Sequence, residues 1–286
     1  MNIPNSVGDL IAMTFLDFLS RDPSRFDAML LDLDGTLLLG DEPLPGAAEL
    51  IALLRRNRTP FFFLTNNCSN TSGEIAARLN AAGIEAYPED IAGAAAPLRE
   101  ELARKGWEKL RFFLIGSATF PEQLGLRYAT DPKRIGECGG ILFLGGLHDW
   151  RTSFHAVLNE LMKRPELPVV IPNPDRQNPV KGGVTLCPLG QFELVRFHLR
   201  ELGIEIRPLH MGKPCPAVYE HVLARFPAGT RRERVAGVGD FLGSDIEGAN
   251  RAGLQSAVVL TGLTDRKTAE TAEGFRRPGF IFDSIG

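Results

Sequence analysis

The chain has 286 residues, enough for one large domain or two modest ones around a substantial core. A net charge of −3, from 32 basic and 35 acidic residues, offers no basic face to nucleic acid or an anionic membrane, so any phosphate must be held by local features. Cys68, Cys138, Cys187 and Cys215 form no CxxC pair and no disulfide-like density, which argues against zinc and for a reduced, cytoplasmic protein.

Residues 1–26 read as an N-terminal extension. Its apolar stretch LIAMTFLDFL is interrupted by Asp17 and preceded by no Lys or Arg. It therefore fails as a signal peptide, and it is too short to span a bilayer. Leu10, Met13, Leu16, Phe18 and Leu19 suit the apolar face of a helix docked on the body of the protein. Phe26 to Leu33 is a near-continuous apolar run, the pattern of a strand buried on both faces. Pro45 then opens the helical stretch GAAELIALLRR. PFFFLTNN is a second buried strand ending in polar residues, and TSGEIAARLNAAGI a second helix stopped near Gly83. Strand, helix, strand and helix in succession predict a parallel sheet.

In the middle third, LRFFLIG, GGILFLGG and PVVIPN read as strands. AAAPLREELARKG, TSFHAVLNELMKR and GQFELVRFHLREL between them read as helices. His148, Asp149 and Trp150 lead into one of these helices, with Thr152 and Ser153 as its caps. The outer pattern then returns: PAVYEHVLARF is helical, RVAGVGD a strand, SDIEGANRAG a short helix and SAVVLTG a strand. The expected architecture is α/β: a Rossmann-like core of residues 27–92 and 206–286 with a parallel sheet, interrupted by a smaller α/β domain at 93–205.

Three polar clusters fall at the carboxyl ends of predicted strands: DLDGT, TNN and GD. Open parallel sheets bind ligands at those ends, so the clusters should converge on one crevice. Asp32 and Asp34 are two residues apart and point to the same side. Carboxylates this close resist joint ionisation unless a cation relieves them, and magnesium suits a few carboxylates plus a substrate phosphate. Asp240 and Asp245 add carboxylates, Lys213 a fixed positive charge, and Thr65 and Asn66 a hydroxyl and an amide. Together these make a phosphate site with a metal.

In that order and spacing, DLDGT, LTNN, MGKP and VGDFLGSD resemble the four motifs of the haloacid dehalogenase-type (HAD) phosphatases. The large insert, the IPNPD segment at 171–175 and the PG after the first motif resemble the branch with a type 2A cap, the NagD and p-nitrophenylphosphatase-like group. The resemblance implies that Asp32 is the nucleophile and forms an aspartyl-phosphate. Asp34 would protonate the leaving oxygen and then deprotonate water. Mg2+ would be held by the Asp32 and Asp240 carboxylates and the Asp34 main-chain carbonyl, with Asp245 orienting water or holding Lys213. Thr65, Asn66 and Lys213 would bind the phosphate. Asp34 would carry its proton through neighbouring negative charge. Phe241 and Ser244 depart from the branch, where GDR and a TD pair are usual, and leave the pocket edge open to different tuning.

Asn173, Asp175, Arg176 and Asn178 lie in a Pro-punctuated loop and are candidates for reaching the substrate. Cys68 reads as a small packing residue and His210 as strand-end filling. The expected activity is Mg-dependent hydrolysis of phosphate monoesters of small metabolites. Sugar phosphates, phosphoglycolate-like acids, nucleoside monophosphates and pyridoxal phosphate all remain open. The alternatives are a non-catalytic phospholigand-binding protein on the same fold, or a phosphotransferase or phosphomutase. The expected partner is a small phosphorylated metabolite, with neither nucleic acid nor membrane, and the N-terminal helix or the insert could support a homodimer.

Overall fold

The computed structural model describes residues 13–286 apart from 118, 147–148 and 181–182. Leu10 and His148, singled out above, lie outside the described residues. In chain order the first elements are α1 (Phe15–Arg21), β1 (Ala28–Leu31), β2 (Leu38–Leu39), β3 (Glu42–Pro43), α2 (Ala47–Arg56), β4 (Phe61–Thr65), α3 (Ser72–Ala81) and β5 (Ile91–Gly93). The middle of the chain gives α4 (Leu98–Arg104), β6 (Arg111–Gly116), α5 (Thr119–Gln123), β7 (Arg127–Ala129), β8 (Gly140–Gly145), α6 (Trp150–Lys163), β9 (Val169–Val170), β10 (Gln177–Val180), β11 (Gly183–Leu186) and α7 (Pro188–Glu201). The last elements are α8 (Pro216–Leu223), β12 (Val235–Gly239), α9 (Glu247–Arg251), β13 (Gln255–Val259), α10 (Arg266–Glu270) and β14 (Phe280–Phe282).

The fold is α/β. Six strands form one sheet in the order β14-β13-β12-β1-β4-β5, every pair parallel. β1 sits where the order reverses, with β4 on one side and β12 on the other. Its residues alternate between the two faces, as a doubly covered strand requires. Met29 and Leu31 pack with Leu50 and Leu54 of α2 and Ile75 and Leu79 of α3. Ala28 and Leu30 pack with Val218 and Val222 of α8 and Ala249 of α9.

A second sheet, in the order β7-β6-β8-β9, is likewise parallel. Phe113, Ile115 and Phe143 meet α6 and α7 on one face, and Phe112, Leu114 and Leu144 meet Leu98 and Leu102 of α4 on the other. The antiparallel hairpin β10–β11 lies between β9 and α7 in the chain.

The expected N-terminal helix starts later than its apolar run, because the Thr14 hydroxyl caps it by accepting from the Asp17 N–H at 3.1 Å. Phe15, Phe18 and Leu19 are buried, and Phe15 meets Phe282 edge-on at 5.3 Å. The cap of α6 is Asp149, which accepts from the Thr152 N–H at 3.2 Å, not Thr152 or Ser153, which lie inside the first turn. β2, β3, β5, β7, β10, β11 and β14 have two to four residues each and are additions to the expected elements. Among the described residues no helix is long and apolar enough to cross a membrane.

Candidate active site

The carboxyl ends of β1, β4 and β12 meet at the reversal of strand order, where open α/β sheets carry their ligand sites. Asp32 follows β1 directly, and its N–H donates to the Val238 carbonyl of β12 at 2.9 Å. The chain then turns through Gly35, whose φ of +88° belongs to the left-handed region. A Cβ on Gly35 would also lie 2.5 Å from Asp240 Oδ2, so the turn can press against that carboxylate only as glycine.

Lys213, in the loop before α8, is only 3 % exposed. Its Nζ donates to Asp32 Oδ1 at 2.5 Å and to Asp245 Oδ1 at 2.6 Å. The second oxygen of Asp245 accepts the Phe241 N–H at 3.1 Å, and that of Asp32 accepts the Thr36 hydroxyl at 3.2 Å. Asp240 Oδ2 accepts the Leu263 N–H at 2.6 Å. Asp32, Asp240 and Asp245 each offer an oxygen, and these atoms lie within 4.8 Å of one another.

Burial pushes the Asp32 carboxyl well above its usual range; Lys213 opposes this, while Asp245 and Asp240 add to it. Burial, and then Asp245, raises Asp240 to about 7. Burial works against the Lys213 charge, but Asp245 and Asp32 override it and hold the ammonium on well above its ordinary range. Three buried carboxylates facing one ammonium leave an excess of negative charge. A hard divalent cation with oxygen ligands fits that donor set.

The cleft is lined by Asp32, Asp34, Thr65, Asn66, Lys213, Asp240 and Asp245, all anticipated from the sequence. Asp175 and Asn178 reach it as well. Asn173 and Arg176 are not in its lining: Asn173 is buried and its Oδ1 accepts the Asp175 N–H at 2.8 Å, while Arg176 is exposed and faces Glu193 at 3.7 Å. The Asn66 side chain works as a clamp. Its Nδ2 donates to Asp175 Oδ2 at 2.9 Å and to the Lys213 carbonyl at 3.0 Å, and its Oδ1 accepts the Lys213 N–H at 2.8 Å. Burial raises the Asp175 carboxyl to about 6 even though Asn66 donates to it.

Asp34 differs from expectation. Its carboxylate lines the cleft, but the neighbour it touches is a cation: Arg78 Nη2 lies 2.8 Å from Oδ1. Sequence reasoning missed Arg78 beside the cleft and Gln177 and Leu263 in its lining, while Asn67 reaches the lining as part of the TNN cluster. Gln177 sits two residues after Asp175 in a loop already singled out, which was the available signal. Cys68 is buried with its Sγ 3.0 Å from the Leu144 carbonyl, and burial pushes its thiol up, as suits a packing residue. His210 Nδ1 lies 3.1 Å from the Ile171 carbonyl, and burial lowers its pKa.

A buried lysine among carboxylates at the reversal of a parallel sheet defines a site for an anion beside a divalent cation. Comparison with known proteins agrees. A haloacid dehalogenase-like hydrolase family matches residues 29–125, and a HAD-hydrolase-like family matches residues 210–286. The D-glycerol 3-phosphate phosphatase of Mycobacterium tuberculosis is 32 % identical over 262 residues, covering 89 % of this chain and 69 % of that protein. A crystal structure of glycerol phosphate phosphatase from the same organism in complex with magnesium superposes with a TM-score of 0.75 at 29 % identity, over 96 % of this chain and 77 % of the other. The 4-nitrophenylphosphatase of Thermotoga maritima gives a TM-score of 0.74 at 25 % identity, over 92 % of this chain and 95 % of the other. The chain belongs to the haloacid dehalogenase-like hydrolases, in their NagD and p-nitrophenylphosphatase-like branch.

Proposed function

We propose that the protein is a Mg2+-dependent phosphatase that hydrolyses phosphate monoesters of small polyols through an aspartyl-phosphate. The observation that carries this reading is the buried Lys213 bridging Asp32 and Asp245 beside Asp240. Asp32 attacks phosphorus in line as the bond to the leaving oxygen breaks. Asp34 gives that oxygen a proton and then takes one from the water that cleaves the acyl phosphate; such help is typically worth ~10²–10⁴-fold. Lys213 and the Thr65 hydroxyl hold phosphoryl oxygens as negative charge spreads over them. Magnesium, for which the Asp32 and Asp240 carboxylates and the Asp34 carbonyl would be the protein ligands with Asp245 behind them, supplies the charge that offsets repulsion between nucleophile and phosphate.

The substrate class follows from the cleft lining. Around the charged centre stand Asn67, Gln177, Asn178 and Ser244, and among the described residues Lys213 is the one cation in the lining. Neutral hydrogen-bonding groups suit the hydroxyls of a polyol. The relatives named glycerol 3-phosphate phosphatase and, in Corynebacterium glutamicum, dihydroxyacetone phosphatase support small polyol and triose phosphates.

We also read residues 93–205 as a cap on a core of 27–92 and 206–286. The support is that one sheet draws its strands from the outer ranges, with only Gly93 at the end of β5 falling past the boundary, and the other from the middle, with Asp175 meeting Asn66 between them. A cytoplasmic location belongs to the same reading, since all four cysteines are free thiols. Pairing of two copies is supported by exposed Leu194 and Phe197 on α7, and sedimentation velocity tests it. The deciding experiment is phosphate release from glycerol 3-phosphate, dihydroxyacetone phosphate, phosphoglycolate and pyridoxal phosphate, with magnesium and with chelator. Turnover should need magnesium, favour the first two esters, and vanish in Asp32→Asn. Release that persists in Asp32→Asn refutes the mechanism.

A further inference from the structure

Arg78 stands on α3, outside the cleft lining, yet it is joined to the cleft through Asp34. Its Nη2 donates to Asp34 Oδ1 at 2.8 Å and to the Gly40 carbonyl at 2.6 Å, while its Nε donates to Asp41 Oδ1 at 2.9 Å. Gly40 and Asp41 form the tip of the hairpin β2–β3. α3 is a firm base for this fork: Ile75 and Leu79 are buried in the core. A capping box also fixes its first turn, with Thr71 N–H donating to Glu74 Oε2 at 2.7 Å and Glu74 N–H to the Thr71 hydroxyl at 3.2 Å. Among the described residues no other side chain hydrogen-bonds the Asp34 carboxylate, and Oδ2 has no partner.

We propose that Arg78 is a positioning residue for Asp34: by holding Oδ1 from behind, it leaves Oδ2 as the oxygen that serves the leaving group. The proposal rests on the phosphatase reading above, in which Asp34 is the acid and base. In the first half-reaction the Oδ2–H bond breaks, its proton goes to the ester oxygen, and the P–O electron pair stays on that oxygen. Orientation matters because a proton donor must sit within hydrogen-bond reach of its acceptor. A carboxylate on a free χ1 and χ2 would satisfy that only part of the time. The Asp41 pair is the lesser contact, since its side chain is 91 % exposed and such pairs contribute little.

Leaving-group chemistry separates this role from a structural one. An alkoxide needs the Asp34 proton to depart, and nitrophenolate does not. kcat/KM is the right quantity because it covers only steps through leaving-group departure. The experiment compares glycerol 3-phosphate with p-nitrophenyl phosphate in wild type, Arg78→Met, Arg78→Lys and Asp41→Asn, and repeats Arg78→Met in an Asp34→Asn background. Arg78→Met should lower kcat/KM ~10–100-fold on glycerol 3-phosphate, a part of the acid's full effect. Its loss on p-nitrophenyl phosphate should stay within about threefold, because no proton is needed there. Arg78→Lys should recover part of the loss, Asp41→Asn should change little, and Arg78→Met should cost nothing further once Asp34 is Asn. Equal losses on both esters, or full additivity with Asp34→Asn, overturn the proposal. Release from neither ester by wild type overturns the phosphatase reading instead, and the proposal with it.

Discussion

Lys213 shows how tightly the charges in the crevice depend on one another. Its ammonium touches Asp32 and Asp245, and Asp240 adds a third buried carboxylate. Removing one partner from a buried ion pair leaves the others uncompensated, at a cost of roughly 3–5 kcal/mol. Lys213→Met should therefore lose about that much stability in chelator by urea unfolding and regain a part when magnesium is added. Phosphate release should fall ~10²–10³-fold even with magnesium present, as is typical when one charge-stabilising group is deleted. An unchanged unfolding midpoint would mean that the carboxylates take up protons without cost. At this scale the centre was legible because Thr65 ends, and Asp32, Asp240 and Asp245 follow, strands whose apolar runs are plain in the sequence. Arg78 was not, since an arginine at the edge of a helix's apolar face looks like any solvated side chain. Its meaning comes from the turn that brings Asp34 and Gly40 to it.

Elements were legible where they were long. α2, α3, α6 and α7 show helical spacing over ten or more residues, and β4, β6, β8 and β12 are unbroken apolar runs. β2 and β3 have two residues each and β14 three, too short for any period to register. Their pairing is imposed by neighbours, as when β14 aligns Phe280 with Ala257 of β13. α3 carries the strongest local signal, the reciprocal Thr71–Glu74 cap. Thr71→Ala should cost ~1 kcal/mol in urea unfolding, the usual worth of an N-cap oxygen. A loss near zero would mean that burial of Ile75 and Leu79 alone sets the start of the helix.

On the scale of the molecule, Asp175 and Asn66 tie a loop beyond β9 to the end of β4. The Asp175 carboxyl, at about 6 when folded, titrates near 3.9 in an unfolded chain. Between those values the folded state holds the extra proton, so this group makes stability fall as pH rises from about 4 to 6, and the loss then stays constant. The full difference is roughly 2–3 kcal/mol. Asp175→Asn removes the titration. In chelator its stability relative to wild type should climb across that window and be flat above it, as urea unfolding at a series of pH values would record. A difference that ignores pH would mean that the carboxyl is no harder to ionise in the fold than outside it.

The pairing of β1 with β12 also bears on how the chain is made. Ala28 aligns with Val235, so about two hundred residues separate the nucleophile's strand from one of its two neighbours. At 5–20 residues per second a ribosome takes ~10–40 s to cover that stretch. Throughout that time Ala28–Leu31 can pair only on its β4 side, with an apolar edge open to other nascent chains. The interval before the last third emerges is therefore when this protein most needs a chaperone.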